Sequence, residues 1–135
     1  GTGLSANNCL WNGVDGCNNT LTSKITVTNA NLYQNAKTGI YVDATGPIDL
    51  TNVTSLRNGV GSKAHGAELW TVDKDITIKN SCFQGNEGYG IFASTGSAST
   101  TNTLKLIGTT FMGNNTTKDP ALSNLLNMKG YISIQ

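Results

Sequence analysis

Apolar and polar residues alternate in short bursts that return at a regular interval. Ile25-Thr26-Val27-Thr28, Ile48-Asp49-Leu50-Thr51, Ile76-Thr77-Ile78-Lys79 and Leu104-Lys105-Leu106-Ile107 each place two aliphatic side chains two positions apart. That is the period of a strand with one buried face, and each burst is too short for a helix. A longer frame holds the bursts together. The segment Ile76–Asn86 (ITIKNSCFQGN) is echoed by Ile25–Asn35 (ITVTNANLYQN), Ile48–Asn58 (IDLTNVTSLRN) and Leu104–Asn114 (LKLIGTTFMGN), and in worn form by Thr2–Asn12 (TGLSANNCLWN). A sixth copy opens at Ile132. The starts at 2, 25, 48, 76, 104 and 132 are separated by 23, 23, 28, 28 and 28 residues, a spacing that signals stacked repeats.

Each repeat reads as three strands and three turns. Asn29, Asn52 and Asn80 follow the first strand, and asparagine tolerates the left-handed backbone that a sharp bend needs. Stacking would superpose their amides as a ladder and bury Asn52 within it, with Ala6 and Gly108 breaking the column at its ends. The second strand sends Cys9, Leu32, Phe83 and Phe111 inward, with Ser55 the exception, and closes at Asn12, Asn35, Asn58, Asn86 and Asn114. The third strand follows a glycine, as in Gly16-Cys17, Gly39-Ile40-Tyr41-Val42, Gly66-Ala67-Glu68-Leu69 and Gly90-Ile91-Phe92-Ala93. The pattern predicts an all-β solenoid of parallel strands, about five coils of 23–28 residues, as one domain over residues 1–135. At roughly 4.8 Å per coil it would be a rod of about 24 Å. Extra residues at Val60–His65 and Ser94–Thr103 belong to turns. Residues 120–129 carry helix start and stop signals, Asp119-Pro120 and Gly130, but the repeat phase places a third strand near Ala121–Leu125.

Composition narrows the partners. With 13% charged residues and a net charge of +1, the chain lacks the basic footprint of a nucleic-acid or polybasic membrane binder. No apolar run reaches the ~18 residues of a membrane-spanning helix. A surface of Thr, Asn, Ser and Gly suits a secreted or cell-surface solenoid. Cys9, Cys17 and Cys82 are 8 and 65 residues apart beside a single histidine, which is no zinc signature. Cys9 and Cys17 either fill apolar positions, the preferred reading, or bridge in an oxidising compartment; Cys82 reads as a packed free thiol. No cofactor is expected. Both ends fall inside repeats without a polar capping coil, so the expectation is a segment of a longer solenoid. Leu4, Ile132 and Ile134 would then lie at open faces where self-association or a parent chain supplies the cover.

The combination of I-x-I-x-N, F-x-G-N and G-I-x-V at this period resembles the right-handed, single-stranded parallel β-helix of the pectate-lyase-like superfamily, across essentially all 135 residues. The resemblance implies that Asn29, Asn52 and Asn80 form that fold's internal asparagine ladder. It also implies that the GIYV-type strands build the sheet on which its enzymes bind polysaccharide. It does not imply catalysis, because the same coils build adhesins, phage spikes and surface stalks.

If Ile40, Val42, Ala67, Leu69, Ile91 and Ala93 face inward, alternation sends Asn18, Tyr41, Glu68 and Phe92 outward in one column and Asp43, Trp70 and Ser94 in the next. Ring faces beside carboxylates suit sugars, so Tyr41, Glu68, Trp70 and Phe92 are glycan-binding candidates. The plainer alternative is cross-strand support or cover by loops. Asp43 and Glu68 would sit diagonally, about 7–8 Å apart, within the range of an inverting glycosidase. The dense aspartate, G-H-G and R-I-K motifs of polygalacturonase-like enzymes are missing, apart from an echo in Ala64-His65-Gly66. Asp43, Asp73 and Asp75 are the candidate calcium ligands a lyase would need, although a solvated turn explains Asp73 and Asp75 more simply. His65, beside Lys63, reads as a surface histidine. Glycosylation sequons at Asn18, Asn52, Asn114 and Asn115 are those a Thr/Asn-rich chain generates by chance. The leading expectation is a noncatalytic structural or adhesive segment, followed by a glycan-binding module and then by a polysaccharide lyase or hydrolase.

Overall fold

The first strands that open at Ile25, Ile48, Ile76, Leu104 and Ile132 in the repeat frame fall in one sheet, in the register that frame predicts. In a computed structural model of the chain, the described residues are 1–7, 23–72, 74–95 and 102–115, with the backbone of 126–129 and 131–134. The strands are β1 (Leu4–Asn7), β2 (Ile25–Thr28), β3 (Asn31–Tyr33), β4 (Ile40–Ala44), β5 (Ile48–Thr51), β6 (Thr54–Leu56) and β7 (Ala67–Thr71). They continue with β8 (Ile76–Lys79), β9 (Cys82–Gln84), β10 (Ile91–Ser94), β11 (Thr103–Ile107), β12 (Thr110–Met112), β13 (Leu126–Lys129) and β14 (Tyr131–Ile134). Three sheets, ordered β2-β5-β8-β11-β14, β3-β6-β9-β12 and β1-β4-β7-β10-β13, run the length of the stack. Every pairing is parallel: Ile25, Ile48, Ile76, Leu104 and Ile132 share one line, and Leu32, Ser55, Phe83 and Phe111 another. The chain is a right-handed parallel β-helix with three strands per coil, the hand that parallel crossovers take.

Two segments depart from the repeat frame. Leu4–Asn7 is not a first strand but a third strand, paired Leu4↔Ile40 through Asn7↔Asp43. The reason is Gly3, which stands to Leu4 as Gly39 stands to Ile40: the Gly3 amide donates to Thr38 O (3.1 Å) as the Gly39 amide donates to His65 O (3.1 Å). A Cβ on Gly3 would lie 2.5 Å from Asn35 Nδ2, and one on Gly66 would lie 2.5 Å from Gly90 O and 2.6 Å from Asn86 Nδ2. Only glycine fits this column, because the coils approach there through bare backbone. At the other end, the third strand is Leu126–Lys129, paired Ile91↔Leu126, downstream of the expected Ala121–Leu125, which lies outside the described residues together with Cys9, Asn12, Cys17 and Asn18.

Alternation fills the interior with Ile40, Val42, Ile48, Leu50, Leu69, Ile76, Ile78, Phe83, Ile91 and Leu104, all fully buried. Each such aliphatic or aromatic side chain stabilises the fold by about 1.5–3 kcal/mol. Ser55 occupies an apolar line without penalty, since its hydroxyl donates to Gly66 O (2.7 Å) and accepts from Asn58 Nδ2 (2.9 Å).

Both asparagine columns stack, and only one is internal. Asn29, Asn52, Asn80 and Gly108 make the bend after the first strand in the left-handed region, with φ of 57°, 54°, 48° and 54°. Asn52 Nδ2 donates to Asn29 Oδ1 at 3.0 Å, yet Asn29, Asn52 and Asn80 are exposed. This corrects the expectation of a buried Asn52: the left-handed residue forms the outside of the corner and its amide stays in water. The internal ladder is Asn35, Asn58, Asn86 and Asn114, buried except at Asn35, which is half-buried. Asn35 Nδ2 donates to Asn58 Oδ1 (2.8 Å), Asn58 Nδ2 to Asn86 Oδ1 (3.1 Å) and Asn86 Nδ2 to Asn114 Oδ1 (2.8 Å). The same oxygens accept the backbone amides of Asn35, Asn58 and Asn86. Asn58, Asn86 and Asn114 also donate from Nδ2 to the carbonyls of Leu32, Ser55 and Phe83 in turn, with the two Asn58 amide protons shared among three acceptors. Among the described residues no buried side-chain polar atom is left unpaired.

Candidate functional site

The glycine column fixes the phase of the third sheet and therefore what its outer face carries. Register aligns Ser5, Tyr41, Glu68 and Phe92 in one outward column, and Asn7, Asp43, Trp70 and Ser94 in the other. Ser5 thus stands beside Tyr41, where the repeat frame had put Asn18. Tyr41, Asp43, Glu68, Trp70 and Phe92 are half-buried and Ser94 is buried. The sequence-predicted residues are brought together as two adjoining columns.

Rings from successive strands make a continuous cluster. Trp70 and Phe92 lie 5.2 Å apart between centroids at 48°. On the other side of Phe92 the His65 ring stacks at 5.5 Å and 12°, with Tyr89 5.0 Å from His65 and 6.2 Å from Phe92. Offset and tilted arrangements at these separations are favourable for aromatic quadrupoles. His65 is half-buried rather than a surface histidine. Its Nδ1 accepts the Tyr89 backbone amide at 3.1 Å, which leaves the proton of the neutral ring on Nε2. Burial pushes the imidazole below the ordinary histidine value, and the Glu68 charge pulls it part of the way back.

Tyr89 and His65 escaped the alternation pattern because they precede the strands. The signal was nonetheless present: Thr38, His65 and Tyr89 each stand immediately before the column glycine, and Gly39 N and Gly66 N donate to His65 O and Tyr89 O in turn. The repeat therefore stacks these three residues along the N-terminal edge of the sheet.

The carboxylates are engaged differently. Glu68 Oε1 accepts the Trp70 indole N–H at 3.1 Å and Oε2 accepts the Thr38 hydroxyl at 3.4 Å, which holds the indole in place. Asp43 sits diagonally from Glu68, opposite Trp70, and burial raises its carboxyl above the usual aspartate range. Tyr41 is flanked by both: burial first, then the charges of Asp43 and Glu68, lift its phenol above the ordinary value, so it remains a hydrogen-bond donor at neutral pH. Of the calcium candidates, Asp75 Oδ1 accepts the Thr103 amide at 2.8 Å and faces its hydroxyl at 3.4 Å, clipping one coil to the next. Asp73 lies outside the described residues. Among the described residues no three His, Cys, Asp or Glu side chains gather to hold a metal ion. Cys82 is a free, half-buried thiol, aligned with Thr54 and Thr110 on the second sheet.

The chain matches no family model, no curated protein and no solved structure. The site's chemistry lies in its own geometry: half-buried rings, two carboxylates and a phenol donor on one parallel sheet. Such a surface offers stacking area with directional polar groups at its margin.

Proposed function

We propose that the protein is a noncatalytic adhesive β-helix segment of a secreted or cell-surface protein that binds glycan along the outer face of its third sheet. We further propose kinship with the pectate-lyase-like β-helices, on the strength of the I-x-I-x-N, F-x-G-N and G-I-x-V motifs. The observation that carries the functional reading is the Trp70–Phe92 pair, with the indole held by Glu68. A ring fixed on a strand presents its face to a sugar with little loss of side-chain entropy. Two acceptor positions of Glu68 already hold Trp70 and Thr38, which favours a positioning role for this carboxylate over that of a free acid or base beside Asp43. The low net charge and the Thr/Asn-rich surface favour an extracellular setting.

The test is a panel of neutral, amino and acidic oligosaccharides scored both for binding and for release of new reducing or unsaturated ends. Binding without products is the expected result. Product formation that depends on Asp43 and Glu68 would move the protein to the enzyme class, and the absence of any binding would leave only a structural role.

A further inference from the structure

The charge around the rings carries an inference about ligand class, one that rests on the glycan-binding reading. Asp43 and Glu68 lie on adjacent strands, diagonal to each other, with Tyr41 and Trp70 completing the square of register partners. Glu68 keeps its two described hydrogen bonds on the side of Trp70 and Thr38. A carboxylate has about four acceptor positions, so it retains capacity for a further donor. The outward positions in register from β1 through β10 are Ser5, Asn7, Tyr41, Asp43, Glu68, Trp70, Phe92 and Ser94, with no lysine or arginine among them. Lys37, Lys63 and Lys74 belong to the turns before β4, before β7 and after β7. Lys129 shares the register line of Asp43 and Trp70, three strands from the first and two from the second, about 14 and about 10 Å at the ordinary strand spacing, at or beyond the ~8–10 Å screening length of physiological salt.

We propose that this stripe selects protonated amino sugars, such as β-linked glucosamine oligomers, over neutral sugars, and rejects polyuronates. The pyranose ring stacks on Trp70, its ammonium lies between Asp43 and Glu68, and the Tyr41 phenol donates to a ring hydroxyl. Two carboxylates beside aromatic faces favour a cation by direct pairing and by the ring quadrupole together. A uronate brought to the same place meets like charge on a half-desolvated surface, where repulsion is poorly screened.

The experiment compares glucosamine, N-acetylglucosamine and galacturonate oligomers of equal length by calorimetry, at a pH where the amine is protonated and both carboxylates are ionised. The glucosamine oligomer should bind about five- to tenfold more tightly than its acetylated counterpart, as expected for a partly exposed ion pair of about 1 kcal/mol. The galacturonate oligomer should bind least. Asp43→Asn should bring the glucosamine oligomer down to the level of the acetylated one, and Trp70→Ala should weaken both. Equal or tighter binding of galacturonate, or equal binding of all three, overturns the charge selection and leaves glycan binding intact. A glucosamine preference insensitive to Trp70→Ala also overturns it, by reducing the effect to diffuse attraction of a polycation. Binding of none of the three removes the glycan reading for these sugars and this inference with it.

Discussion

Asn86 makes four hydrogen bonds with a single amide. Its Oδ1 accepts from Asn58 N and Asn58 Nδ2, and its Nδ2 donates to Ser55 O and Asn114 Oδ1. No other uncharged side chain of this size offers two acceptor sites and two donors in one plane. Asn86→Ala would leave those partners unpaired in a buried column, at roughly 1–3 kcal/mol for each group not rescued by water. A loss of about 3 kcal/mol or more is expected by urea denaturation. Asn86→Asp should be no milder at neutral pH, since it removes both donors and buries a charge. His65 sets a pH dependence at the same scale. Its folded value is depressed, so its contribution is present above the unfolded value of about 6.5 and lost as pH falls through the folded value. Protonation puts a proton on Nδ1 and opposes the Tyr89 amide. Stability measured on acidification below about pH 6.5 should therefore fall more steeply for the native chain than for His65→Asn, whose side-chain oxygen accepts the same amide without titrating.

At the level of elements, the column of Gly3, Gly39, Gly66 and Gly90 sets strand phase. Gly66→Ala would push a Cβ against Gly90 O and Asn86 Nδ2, a backbone atom and a ladder atom that cannot both retreat. It should cost about 1–3 kcal/mol in thermal or denaturant unfolding, the usual penalty of overpacking. The same column explains what the sequence revealed and what it hid. Period-two bursts located β2, β5, β8 and β11 with their register, because each buries two aliphatic side chains and a slip of one residue would expose them. Thr2-Gly3-Leu4-Ser5-Ala6 has the same alternation and fits either strand type, and only the close approach at Gly3 decides for the third sheet. Both asparagine columns were legible as columns, but their burial was not. Whether an amide points in or out depends on the backbone: the left-handed bend at Asn52 turns it outward, whereas a left-handed residue before the ladder, as at Arg57 and Gly85, is followed by one turned inward. The outward stripe was legible from alternation, while His65 and Tyr89 lay one step before the strands, where alternation carries no information.

For the whole molecule, stacking coils makes one interior and three outward sheet faces, so a ligand site can be built from consecutive coils without disturbing the core. Ile91 and Trp70 separate these roles. Ile91→Ala removes a fully buried side chain and should cost about 2–5 kcal/mol, whereas Trp70→Ala removes a half-buried ring at the surface and should cost roughly 1 kcal/mol. The most direct test of the adhesive reading is therefore the affinity of Trp70→Ala for the tightest oligosaccharide of the panel, set against Glu68→Gln, with unfolding midpoints measured in parallel. Glycan adhesion through this stripe predicts about a tenfold loss of affinity for Trp70→Ala, equivalent to about 1.4 kcal/mol, a smaller loss for Glu68→Gln, and a folded protein in both cases. Native affinity in a folded Trp70→Ala variant, or destabilisation as large as that of Ile91→Ala, would contradict it.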